Sequence, residues 1–158
     1  MMDILALDLG THTGWALMMD GILETGVETF DLRRGESPGM RWIRFTRWLT
    51  EMVRPAAGGL GVTLVVYEAA HHRGGAATEI AVGFATHLQT VCARLDIEHT
   101  SVHTGQLKKF ATGRGNADKS AMLDACARRW RRVDTDDEAD AIALLFYAVE
   151  YIGCGAAS

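Results

Sequence analysis

Apolar residues near the start of the chain come in short runs punctuated by turn residues. Residues 3–9, 13–19 and 22–30 read as three strands joined by tight turns at Gly10 and at Asp20-Gly21, an antiparallel meander. From 40 to 54 the pattern changes, and Trp42, Phe45, Leu49, Met52 and Val53 recur at helical spacing until Pro55 and the glycines after it. The run "GVTLVVYEAA", residues 61–70, predicts a buried strand that delivers Glu68 at its end. A small-residue-rich helix over 74–94 and a fifth strand in "IEHTSVH", residues 97–103, follow. A looser basic region then precedes helices near 117–132 and 137–152. This order predicts an α/β protein with a mixed five-stranded sheet, antiparallel strands first and parallel strands after, flanked by helices.

The length of 158 residues suits one domain, which we place at 1–153 with 154–158 as a C-terminal tail. Hydrophobic residues make up 48% and charged residues 23%, enough apolar material for one substantial core. Asp3 and Asp8 interrupt the apolar start and no basic leader precedes it, so the expectation is a cytoplasmic protein with no membrane association. Cys92, Cys126 and Cys154 are odd in number and lack metal-binding spacing, which predicts free thiols. No internal repeat or low-complexity segment divides the chain. The net charge of -4 hides a division: residues 101–133 carry eight Lys or Arg against two acids, and residues 134–158 carry six acids and no Lys or Arg. Cations placed directly before carboxylates suit a site that grips phosphates beside metal ions.

Four acids stand out by position. Asp8 and Glu68 lie at the exits of two apolar strands, where open α/β sheets place ligands. Asp137 and Asp140 are three residues apart and share one face of a helix. Four carboxylates crowded together repel unless cations lie between them, and hard oxygen ligands select Mg2+, with Mn2+ as a substitute. Two such ions roughly 3.5 to 4 Å apart would serve phosphodiester hydrolysis with water as nucleophile. Two other readings are open. Asp137 and Glu138 also suit a plain helix N-terminus, where the macrodipole favours acids. "DLGT" at Asp8 also resembles the first phosphate motif of the actin, hexokinase and heat-shock chaperone superfamily, though that fold needs two such domains.

Taken together these pieces resemble the RuvC family of Holliday junction resolvases, within the ribonuclease H-like superfamily. The most specific stretch is "GQLKKFATGRGNADKSAML", residues 105–123, beside "DDEADAIAL", residues 136–144; "DLGTHTGWAL" and "VVYEAA" match more weakly. The resemblance implies a ribonuclease H-like fold and a magnesium-dependent endonuclease that resolves four-way or other branched DNA, leaving 5'-phosphate and 3'-hydroxyl ends, with no nucleotide cofactor. It assigns Asp8, Glu68, Asp137 and Asp140 to the metals, and Lys108 and Lys119 to DNA phosphates, with Lys119 also catalytic. Arg114, between the glycines Gly113 and Gly115, is a further DNA-contact candidate, while Lys109 reads as a solvated neighbour.

The chain departs from the family pattern at Leu9, where members usually have proline, and at His71, where members commonly place an aromatic wedge that enters the junction. His71 is therefore the candidate for stacking on a base, with less ring to offer. Arg41, Arg44 and Arg47 form a stripe on one helix, and Arg128, Arg129, Arg131 and Arg132 are a denser candidate for a DNA arm. A twofold homodimer matches the near-twofold symmetry of a four-way junction. The small residues Gly75, Ala76, Ala77, Ala81, Gly83 and Ala85 suit either a second helix or the chain's own sheet. The rivals are a RuvX-type nuclease acting on RNA, a protein that binds junctions without cutting them, and a sugar-kinase-like nucleotide-binding fragment.

Overall fold

In the computed structural model, residues 2–54, 59, 61–70 and 74–153 are described. His71 and Cys154 lie outside them. Five strands, β1 (Ile4–Asp8), β2 (His12–Met19), β3 (Ile22–Thr29), β4 (Leu64–Glu68) and β5 (Glu98–Val102), form one sheet in the order β3-β2-β1-β4-β5. The first three pair antiparallel, and β1, β4 and β5 run parallel. Asp20 and Gly21 both take positive φ, 50° and 78°, and close the β2–β3 hairpin as a two-residue turn. The mixed sheet flanked by helices is the architecture that the hydrophobic pattern predicts.

Alternation along the strands sorts side chains between two cores. Leu5, Leu7, Val65 and Tyr67 face one way, toward α1 (Gly39–Val53) and α2 (Ala76–Leu95). Phe30, Phe45 and Phe84 fill that side, and Gly83 admits Trp42, because a Cβ there would come within 2.5 Å of the indole ring. Ile4, Ala6, Ala16, Leu64, Val66 and Val102 face the other way, toward α3 (Thr104–Thr112), α4 (Lys119–Arg129) and α5 (Asp136–Tyr147). α5 runs on into a wider, π-type turn over Ala148–Ile152. It is the central helix, with Ala139, Ala141, Ile142, Ala143, Leu144 and Leu145 all buried.

The same period of two decides where the acids go. Asp8 continues the series Ile4, Ala6, and Glu68 continues Leu64, Val66, so both carboxylates emerge on the α5 side of the sheet at the ends of adjacent strands. A nine-residue helix, α3, occupies much of the segment read from the sequence as loose and basic. Its apolar contribution is small, Leu107 and Ala111, which is too short a stripe to stand out by periodicity. Among the described residues no helix is long and apolar enough to cross a membrane.

Candidate metal centre

Asp8 is followed by a turn held by a threonine. The Thr13 hydroxyl, fully buried, donates to the Gly10 carbonyl (2.7 Å) and accepts from the Gly10 amide (3.3 Å). The chain thus reverses immediately beyond the carboxylate, and Gly14 pairs with Asp8 across the β1–β2 ladder. A Cβ at Gly14 would collide with the backbone carbonyl of Asp137. Only a residue without a side chain lets the first turn of α5 rest on β2 there, and this contact brings the helical acids to the strand acids. The hydrophobic pattern gives no hint of it, because the demand on Gly14 comes from a helix far along the chain.

α5 begins at Thr135, whose hydroxyl accepts from the Glu138 amide (3.2 Å). Its four acids then diverge in use. Asp136 forms an ion pair with Lys119 (Oδ2 to Nζ, 3.1 Å), and Glu138 accepts the Thr25 hydroxyl (2.6 Å). Asp137 is in side-chain hydrogen-bonding contact with Asp8. Asp140 joins Asp8 and Glu68, and carboxylate oxygens of these three lie within 4.8 Å of one another. The helix therefore separates Asp140, in the trio, from Asp137, which reaches it through Asp8. Glu68 also accepts the hydroxyl of Thr104, the first residue of α3.

The electrostatics follow from this crowding. Burial, then the charges of Asp140, Glu68 and Asp137, raise the pKa of Asp8 well above the usual carboxylate range. Burial, with Glu68, Asp136 and Asp137 adding to it, pushes Asp140 up to about 7, while Lys108 opposes the shift. The Asp140 Oδ1 atom is buried and, among the described residues, has no hydrogen-bond partner. An orphaned oxygen on a carboxylate clustered with two others fits a divalent cation, which would supply a partner and relieve the repulsion. The all-oxygen donor set fits a hard ion such as Mg2+ or Mn2+.

These acids line a cleft of about 500 Å3 whose floor is the strand ends and whose walls are α2, α3, α4 and α5. Lys108 and Lys119 both line it, Lys119 with 85% of its side chain exposed. Hydrogen bonding to Asp136 and the surrounding acids raise the Lys119 pKa, so the ammonium is charged. Arg114 is not among the cleft-lining residues; it stands on the exposed loop after Gly113, a left-handed helix cap at φ 86°. His12 lies 3.7 Å from Asp31 at the surface.

Several cations singled out by sequence have structural work. Arg44 forms a two-pronged pair with Glu36, and Arg41 donates to the Phe30 carbonyl (3.0 Å). Arg129 stacks its guanidinium on Phe110 (4.8 Å) and Trp130 (4.5 Å) and donates to the Phe110 and Ala111 carbonyls. Arg131 donates to the Leu23 carbonyl (3.2 Å). Of the small residues on α2, Gly83 receives Trp42 of the same chain, and Ala77, Ala81 and Ala85 line the cleft. Gly83 is thus filled from within the chain, while Gly75, Ala76 and Ala77 are exposed.

No protein-family model and no curated protein sequence matches the chain. Solved structures do. The RuvC structure of Thermus thermophilus superposes with a TM-score of 0.75 at 17% identity, covering 98% of this chain and 97% of that one. T. thermophilus RuvC in complex with Holliday junction substrate gives 0.77 at 16% identity, with the same coverage. At this identity the likeness establishes the fold, a ribonuclease H-like one of RuvC type spanning nearly the whole chain.

Proposed function

We propose that the chain is a divalent-metal-dependent endonuclease that resolves four-way or other branched DNA junctions. The observation that carries this reading is the trio Asp8, Glu68 and Asp140, with its orphaned buried oxygen, at the floor of an open cleft. A purely structural role would leave three acids crowded at a cost in stability that the Thr104 hydroxyl and the charge of Lys108 offset only in part. The fold shared with a protein solved on a Holliday junction makes branched DNA the substrate class of choice.

In this reading Asp8, Glu68, Asp137 and Asp140 are the ligands of Mg2+, with Mn2+ able to replace it. When bound, the ions supply Lewis-acid activation of a water and neutralise charge on the leaving oxygen. Lys108, one helical turn along α3 from Thr104, faces the cleft and holds a phosphate oxygen of the strand to be cut. Lys119 leaves its exposed pair with Asp136 to meet the phosphate and offset the charge that develops on it. Such an exposed pair is worth little, so exchanging it for a phosphate is easy. The products carry 5'-phosphate and 3'-hydroxyl ends. Arg114 and His71 contact DNA, and residues 1–153 act as one nuclease domain with 154–158 as a tail. Paired cuts call for a twofold homodimer, for which the exposed apolar Ile43 (49%) of α1 and Val82 (40%) of α2 offer a surface.

The test is a panel of four-way junction, fork, linear duplex and RNA–DNA hybrid, each with and without Mg2+. Metal-dependent cutting of the junction in preference to duplex and hybrid is expected. Preferential cutting of the hybrid would transfer the protein to RNA chemistry, and tight junction binding without cutting would make it a recognition protein.

A further inference from the structure

Glu68 leaves the end of β4, and beside it the chain of β5 passes directly into α3: Val102 pairs with Glu68, and Thr104 opens the helix. The Ala69 amide donates to the Val102 carbonyl (2.9 Å), so the two strand ends are tied together just where the acid emerges. The Thr104 hydroxyl donates to Glu68 Oε1. Thr104 and Lys108 are four residues apart on α3 and both line the cleft, so they lie on one face of that helix.

We infer that Thr104 is a positioning residue: its hydroxyl occupies one oxygen of Glu68, turns the other toward Asp8 and Asp140, and fixes the height at which α3 presents Lys108. The inference rests on the metal-dependent reading above. A carboxylate attached through two flexible methylenes samples several orientations, and a donor fixed to one oxygen removes most of them before any ion arrives. Partners of this kind behind a ligand commonly matter about 10- to 100-fold in metal affinity. The contact made by the hydroxyl is to Glu68, so in this reading its influence on the metal passes through that carboxylate.

The side chain permits a clean comparison. Thr104→Val keeps the shape and removes the donor; Thr104→Ser keeps the donor and removes a methyl. Mn2+ binding is read first without substrate, from the metal-dependent rise in melting temperature, and then from the Mg2+ concentration that half-saturates single-turnover junction cleavage. Thr104→Val should require about 10-fold more ion in both assays, while Thr104→Ser stays within about threefold of the unaltered protein. A Thr104→Val protein that titrates like the unaltered one overturns the inference. So does an equal shift in both variants, because Thr104→Ser keeps the donor and the effect would then not follow the hydroxyl. If Thr104→Val fails to fold, Thr104→Ala is used, and collapse of that variant too would make the hydroxyl a stability element instead. Absence of any metal response in the unaltered protein is a different failure, since it removes the metal reading itself.

Discussion

On the α1–α2 side of the sheet, Phe30, Phe45 and Phe84 meet with ring centroids 4.9 to 5.9 Å apart, and Trp42 and Trp48 close around them. On the α5 side, at the strand ends, Gly14 packs under the Asp137 carbonyl with no room for a Cβ, Ala16 and Ala139 are buried, and carboxylates stand in place of rings. One face removes a large aromatic area from water, the dominant favourable contribution to folding. The other uses small residues to bring charge together, which opposes folding unless an ion is present. The α5 face has an apolar core of its own, but the acids stand only at its strand-end edge, and strand alternation puts both Asp8 and Glu68 on that face rather than among the rings.

Substitutions at the acids should break this division most severely. Asp8→Asn or Glu68→Gln is expected to lower junction cleavage by about 1,000-fold or more while leaving junction affinity nearly unchanged, because phosphate contacts by Lys and Arg supply most of the binding. Gel-shift and single-turnover assays on the same preparations check both halves, and full activity in either variant would remove the acid from the site. Gly14→Ala comes next. The added methyl must push α5 off β2, moving Asp137 and Asp140 relative to Asp8, and a displacement near 1 Å costs on the order of 100-fold in rate. Its cost in stability should be smaller, about 1 to 3 kcal/mol. Phe45→Ala sharpens the contrast from the opposite face: we expect about 3 to 5 kcal/mol of lost stability by denaturant titration, with cleavage per folded molecule unchanged.

Most of the sheet is legible in the sequence because its signals are local. Short apolar runs between turn residues mark β1 to β3, an unbroken apolar run marks β4, and the spacing of Phe45, Leu49 and Val53 marks α1. Asp8, Glu68 and Asp140 are legible for the same reason, since each ends a strand or follows a helical period. What escapes reading is set by distant contacts. α3 buries only Leu107 and Ala111, so its pattern is too thin to announce a helix. Gly14 looks like any strand glycine until α5 is laid over it. Thr104 and Asp136 acquire meaning only from Glu68 and Lys119, and within the arginine run that closes α4 the sequence does not announce that Arg129 and Arg131 hold main-chain carbonyls. On α2, Gly83 advertises close packing but not its partner, which is Trp42 of the same chain.

The central claim is that the acids are kept for a cation and not for the fold, and the melting temperature of the metal-free protein between pH 5 and 8 tests it most directly. Asp140 is pushed up to about 7 in the folded chain from an ordinary carboxylate value in the unfolded one, and Asp8 is raised as well. Their contribution to stability is therefore fully present below about pH 4 and is lost as pH rises through 7. The melting temperature should fall by several degrees, on the order of 3 °C for each kcal/mol, as pH goes from 5 to 8. Saturating Mg2+ should restore it at pH 8. Asp140→Asn should flatten the metal-free slope and weaken the response to Mg2+. A melting temperature that rises toward pH 8 without metal, or an Asp140→Asn protein that is less stable at pH 8 yet still responds fully to Mg2+, would mean that the carboxylates serve the fold and that the metal-centre account is wrong.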